Sequence, residues 1–318
     1  MCNILNWVIF LNIIDRGFKE FVLEIKSKNE KEIYYNIRRK FEVIPEETKR
    51  SLEKFFDNFD YWGKLDVSND VYEEIENKEI CLYNHIDDFI WLYDNLADYR
   101  SKKTLYSILN NWYNYDFALS ASTIEYMYDD YFDLDLVKCD SNEVIVDLGA
   151  YIGDTVLSYI KNYGKESYKK IYCYEVTSSS FDILRENLKD YKNIDFRFKG
   201  VSDSVGLMRL VDNKESTSAN TVVSDDEGDV VVTTLDEDIK EKVTLIKADI
   251  EGSEVAAIKG ARRHIINDHP KLLISVYHSN DDLWKIPKMI YEMDSSYKFY
   301  LRYKSTCVYP TEITLIAI

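Results

Sequence analysis

The stretch VIVDLGAYIGDT, Val144 to Thr155, constrains the fold more than any other part of the chain. Three β-branched residues run into Asp147, and two glycines follow with three residues between them. Val144–Leu148 reads as a strand buried on both faces, and the Gly149–Gly153 turn as the way into a helix. Four comparable runs follow: KIYCYE (Lys170–Glu175), IDFRF (Ile194–Phe198), VTLIKA (Val243–Ala248) and LLISVY (Leu272–Tyr277). Helices fit after most of them. Near-continuous apolar strands separated by helices predict an α/β fold with a mostly parallel sheet. At the C-terminus only a loop separates YKFYLRY (Tyr297–Tyr303) from ITLIAI (Ile313–Ile318), so an antiparallel hairpin is expected there.

The region before this sheet is helical in style. Pro45 suits a helix first turn, Glu46 and Glu47 follow it, and Leu52, Phe55, Phe56 and Phe59 form one apolar stripe with Gly63 as the stop. Ile86, Phe89, Ile90, Tyr93, Leu96 and Ala97 make a second stripe. Ser101 is placed to cap a third helix burying Leu105, Ile108, Leu109 and Trp112. KCDSNE (Lys138–Glu143) is the joint, which predicts a helical N-terminal region over 1–138 and a ligand-binding domain over 139–318.

A formal net charge of −17 repels phosphate backbones, and the short basic runs NIRRKF and GARRH do not outweigh it, so no nucleic-acid partner is expected. The five cysteines are scattered and never paired as C-x-x-C, which argues against a disulfide framework, a zinc knuckle or an iron–sulfur cluster and fits a cytoplasmic protein. ILNWVIFLNII (Ile4–Ile14) is too short to span a bilayer and lacks a basic leader, so it reads as a packing helix. Twenty-six tyrosines are as well explained by genome composition as by sugar stacking.

Ligands of such sheets bind at the carboxyl ends of the strands. A pyrophosphate-binding turn wants a middle glycine; here Tyr151 stands near that place. Its side chain counts against a nicotinamide dinucleotide and for a nucleoside with an amino-acid tail, such as S-adenosylmethionine. Glu175 ends the second strand, where a carboxylate can accept both ribose hydroxyls. Asp203, in GVSDSVG after the third strand, is placed to accept from an adenine amino group. Asp249 and Glu251 follow the fourth strand, and Ser253 and Glu254 suit the first turn of the next helix. His278 reaches the same rim from the fifth strand.

These segments, VDLGAYIGDT, YCYE, GVSD, IKADIEGSEVAAIKGA and PKLLISVYH, resemble in order and style the FkbM-type methyltransferases, from about Asn142 to the C-terminus. The long IKADIEGSEVAAIKGA block is the specific part. The resemblance implies a Rossmann-like class I methyltransferase sheet ending in an antiparallel hairpin. It implies S-adenosylmethionine as cofactor and O-methylation of a sugar, glycan or other small metabolite. The cofactor set it suggests is Asp147, Gly149, Ala150, Tyr151, Gly153, Asp154, Thr155, Glu175, Ser202, Asp203 and Asp249.

An acceptor hydroxyl needs its proton drawn off by a base. His278 or Asp249 is expected to take it, with Glu251 orienting the acceptor. A divalent metal held by Asp249, Glu251 and His278 is the less favoured variant. The rivals are a nicotinamide-dependent oxidoreductase and a non-catalytic binding or scaffold protein of the same fold. The N-terminal helices are expected to pack on the catalytic domain and frame the acceptor entrance, or to make a homodimer.

Overall fold

The computed structural model describes residues 12–129, 131–213, 219–224, 228–309 and 311–318. Most of the apolar run Ile4–Ile14 therefore lies outside the described residues. The chain divides into two compact units. The first runs up to Glu125 and takes in Ser279–Lys285 and Phe299–Ile313; the second comprises Tyr126–His278, Ile286–Lys298 and Thr314–Ile318.

The first unit is mainly helical: α1 (Ile13–Lys26), α2 (Glu30–Val43), α3 (Glu46–Asn58), the short pair β1 (Leu65–Asp66) and β2 (Val71–Tyr72), α4 (Glu73–Asn95), α5 (Tyr99–Asn114) and α6 (Phe117–Ala121). Local chemistry sets the helix starts. The Asn12 side chain caps α1, and Asn29 with Glu32 forms a capping box on α2. Pro45 stands one residue before α3 rather than inside it. That helix ends at Asn58, and Gly63, at φ +95°, follows a separate 3-10 turn, Asp60–Trp62. The cap of α5 is Asp98, which accepts from the Ser101 amide at 2.7 Å; Ser101 itself is buried in the first turn.

The second unit begins earlier than the sequence predicts. Tyr126–Val137 belongs to it because Phe132 packs edge-on against Tyr159 and Tyr163, and the Tyr163 hydroxyl donates to the Val137 carbonyl at 2.8 Å. Its elements are β3 (Val144–Leu148), α7 (Asp154–Tyr163), β4 (Lys170–Glu175), α8 (Ser178–Leu188), β5 (Ile194–Phe198), β6 (Gly200–Val201), β7 (Gly206–Val211), β8 (Thr221–Ser224) and β9 (Val230–Thr233). Then come α9 (Leu235–Asp238), β10 (Leu245–Ala248), α10 (Glu254–Gly260), α11 (Arg262–Asp268), β11 (Lys271–Ser275), α12 (Asp282–Met293), β12 (Phe299–Tyr303) and β13 (Ile313–Ala317). β12 falls in the first unit, where the Leu301 amide and the Arg302 guanidinium donate to the Ser101 hydroxyl.

Strands of the second unit lie in the order β13–β11–β10–β3–β4–β5. β11, β10, β3, β4 and β5 run parallel, and β13 runs antiparallel to β11 from Leu272↔Ala317 to Ser275↔Thr314. The whole of β3 is buried, as expected of β-branched residues covered on both faces. From β3 the chain proceeds to β4 and β5 on one side, then returns to β10 and β11 on the other. The crevice at the carboxyl ends of β3 and β10 is thus the switch point of the sheet. A second sheet, β6–β9–β7–β8, lies between β5 and β10 in sequence and is not expected from the pattern. Its strands are short, and β7 is largely exposed, so neither alternation nor a long apolar run marks it. Among the described residues no helix is long and apolar enough to cross a membrane.

Candidate functional site

The Gly149–Gly153 turn is held from below and behind. Gly149 and Ala150 donate their amides to the Tyr174 carbonyl at 3.1 and 2.9 Å. Gly149 has φ +75°, and a Cβ there would lie 1.9 Å from the Asp249 carbonyl oxygen. Only glycine permits the tips of β3 and β10 to approach so closely. Tyr151 adopts φ +46°, so it takes the left-handed backbone that glycine favours while keeping a side chain in the cleft. Its amide donates to Glu175 Oε2 at 2.9 Å.

Glu175 therefore supplies the anion for this turn from within the protein. Its other oxygen accepts the amides of Val176 and Thr177 at 2.9 and 2.7 Å. Burial raises the Glu175 pKa, and these three backbone donors offset only part of that rise. A carboxylate has about four lone-pair sites, so Glu175 retains capacity for a ligand hydroxyl.

Beneath the turn, register sets Lys247 of β10 beside Asp147 of β3. Both are almost fully buried, with Nζ 3.1 Å from the carboxylate and 2.8 Å from the Gly149 carbonyl. Burial lifts the Asp147 pKa to about 6 against the pull of the ammonium. This pair staples the strand end; sequence reading missed Lys247, because a lysine inside an apolar run carries no sign of its neighbour.

After β10 the chain makes a strained turn, with Glu251 at φ +54° and Gly252 at +94°. Glu254 is fully buried and accepts the amides of Ile250 and Gly252 at 2.8 and 3.1 Å. Its role exceeds that of a helix first-turn acid, because it also faces His278 Nδ1 at 3.1 Å. His278 Nε2 lies 3.2 Å from Glu251 and 3.6 Å from Asp249. Burial alone would push the imidazole pKa down, but Glu254 and Glu251 carry it well above the ordinary value. Both ring nitrogens face carboxylates, an arrangement that favours the protonated imidazole.

Asp249 receives the Tyr131 hydroxyl at 2.6 Å and the Tyr277 hydroxyl at 3.3 Å. Burial would raise its pKa; His278, Lys247 and the Tyr131 hydrogen bond outweigh that and hold it below the usual aspartate value. Asp249, Glu254 and His278 converge closely enough to suggest a metal site. Because of those carboxylates, metal binding at this place would require the imidazole to give up a proton.

A cleft of about 590 Å³ of empty space, its open mouth included, lies over these tips. Of the residues singled out from sequence, Gly149, Tyr151, Glu175, Asp249 and Glu251 line it. Asp147 and Ala150 are buried, and Gly153, Asp154 and Thr155 form the start of α7. Ser202 is buried with its amide on the Thr233 carbonyl. Asp203 does not reach the cleft: β6 pairs with β9 in the second sheet and carries it into solvent, 4.0 Å from Lys259. Lining residues missed from sequence include Val201, Asn220 and Val222.

Residues 147–304 match the family model described as the methyltransferase FkbM domain. The structure of methyltransferase FkbM from Methylobacillus flagellatus KT is similar at 25% identity and a TM-score of 0.64, over 78% of this chain and 62% of that one. The chain thus spans under two thirds of that structure's length. A methyltransferase from Streptococcus mutans in complex with SAH is matched at 14% identity and TM-score 0.36, over 56% of this chain and 89% of that one. Aeropyrum pernix fibrillarin with natively bound S-adenosyl-L-methionine is matched at 16% and 0.35, over 56% and 67%. No curated protein matches. Residues 147–304 thus carry a methyltransferase FkbM domain.

Proposed function

We propose that the cleft binds S-adenosylmethionine and that the protein methylates a hydroxyl of a sugar, glycan or other small metabolite. The observation that carries this reading is a negative cleft at the sheet's switch point. Among the described lining residues, Glu175, Asp249 and Glu251 stand against one ammonium, Lys199, which is itself paired with Asp238, while the His278 imidazole contacts Glu251 and Asp249. Such a field favours a cationic ligand and opposes a pyrophosphate, which disfavours the nicotinamide reading. Glu175 would accept from ribose hydroxyls, and Val201 and Val222 offer apolar contact to a base.

When bound, S-adenosylmethionine supplies a methyl group already activated by a sulfonium leaving group. The protein's work is then alignment and proton removal. Asp249 or Glu251 takes the hydroxyl proton as the new O–C bond forms, and releases it to water. A carboxylate of low pKa suffices, because the attacking oxygen becomes strongly acidic as it gains the methyl group. His278 is a positioning residue in this scheme: its Nε2, 3.2 Å from Glu251, holds that carboxylate in place. Titration calorimetry with S-adenosylmethionine, S-adenosylhomocysteine and NAD tests the proposal. The first two should bind and NAD should not; the reverse would refute it. Mass spectrometry of glycans and small metabolites, with and without the gene, would then reveal the acceptor as a species gaining one CH₂.

A further inference from the structure

β8 does something the parallel sheet does not require. Asn220 Nδ2 donates to Thr177 Oγ1 at 3.2 Å, two residues beyond Glu175. The next residue, Thr221, donates its hydroxyl to the Glu251 carbonyl at 2.7 Å. One short segment is thereby fastened to the loop that follows Glu175 at the end of β4 and to the loop after β10 that carries Asp249 and Glu251. Asn220 and Val222, flanking Thr221, line the cleft. Asn220 is fixed in turn, accepting the Asn213 amide at 2.8 Å and donating to Asp212 at 3.1 Å. Glu251 holds a left-handed conformation that a residue with a Cβ keeps only when its surroundings impose it. Glu254 restrains the amides on either side, and Thr221 restrains the carbonyl.

We propose that Thr221 is a positioning residue of the nucleoside cleft: its hydroxyl fastens β8 to the Glu251 peptide, making Asn220–Val222 the wall that retains an S-adenosyl ligand. The inference rests on the reading that the cleft takes such a ligand. Without the Thr221–Glu251 bond that wall is held less firmly, so loss of the hydroxyl should speed dissociation of the ligand.

The test uses the full chain with S-adenosylhomocysteine as the probe, measured by surface plasmon resonance. Thr221→Val keeps a β-branched residue suited to a strand and removes only the hydrogen bond. It should speed dissociation and weaken Kd by about three- to ten-fold, the worth of one such bond. Thr221→Ser should restore both. A wild-type chain that does not bind the probe overturns this inference together with the functional reading. Wild-type binding with unchanged dissociation from Thr221→Val overturns this inference alone, and so does a lowered Tm without any change in dissociation. Hydrogen exchange on the wild type covers the case of a variant that fails to fold. Probe binding should protect the amides of Thr221–Val223 and Ile250–Gly252 together, and unchanged exchange there refutes the proposal.

Discussion

Replacing His278 by glutamine probes the charge logic of the site most directly. The imidazole side chain is 1% exposed, and Glu254, 3.1 Å from Nδ1, is 0% exposed. Breaking a buried ion pair by removing one partner costs about 3–5 kcal/mol. Glu254 keeps its two backbone donors and glutamine restores one N–H, so the expected loss is near the lower end, about 3 kcal/mol. Glu254→Gln should lose a similar amount, and the double variant should lose less than the sum, by at least about 1 kcal/mol of coupling. Urea unfolding at pH 7 measures all three. The pH dependence has a defined sign. The folded pKa of His278 lies above its unfolded value near 6.5. The stabilisation it gives is therefore complete below about pH 6.5 and fades as pH climbs through the raised folded value. With four histidines in the chain, the variant also identifies the His278 NMR signal, which should stay charged at pH 7.5. A neutral ring at pH 7, or additive single variants, would refute the reasoning and reopen His278 as the base.

Three further outcomes are expected. Gly149→Ala meets the left-handed penalty of roughly 1–2 kcal/mol and a backbone oxygen 1.9 Å from the new Cβ. Calorimetry should therefore find S-adenosylmethionine binding abolished in a chain whose circular dichroism remains α/β. Glu175→Gln gives up charge-assisted bonds to three amides, each worth about 1.5–3 kcal/mol against roughly half that for neutral ones. Affinity for S-adenosylhomocysteine should fall at least about tenfold. Tyr131→Phe removes a donor from Asp249, so the carboxylate pKa should rise and the acid limb of the rate profile should move to higher pH; an unmoved limb counts against Asp249 as the base.

The strands were legible where burial on both faces made the pattern continuous. β3 and β4 begin and end where their Val-, Ile- and aromatic-rich runs do. The site was legible only as far as chain order implies place. Asp249, Glu251 and His278 follow strand ends and meet at one rim. Asp203 also follows a strand end, yet the unforeseen second sheet turns it outward. Tyr131 and Lys247 were missed because their partners, Asp249 and Asp147, are distant in sequence or on another strand. For His278 the location was readable and the chemistry was not. Its charge depends on Glu254, which reads locally as an ordinary helix-start acid.

One feature of the first unit bears on how the chain is made. The first turn of α5 buries Ser101, whose hydroxyl waits for Leu301 and Arg302, while Asp98 pairs with the same arginine. Those partners leave the ribosome roughly 200 residues later, on the order of 10–40 s at typical elongation rates. Until then the N-terminal helices lack these partners, while most of the second unit has already been translated. Chains truncated before Phe299 should accordingly be chaperone clients rather than soluble fragments.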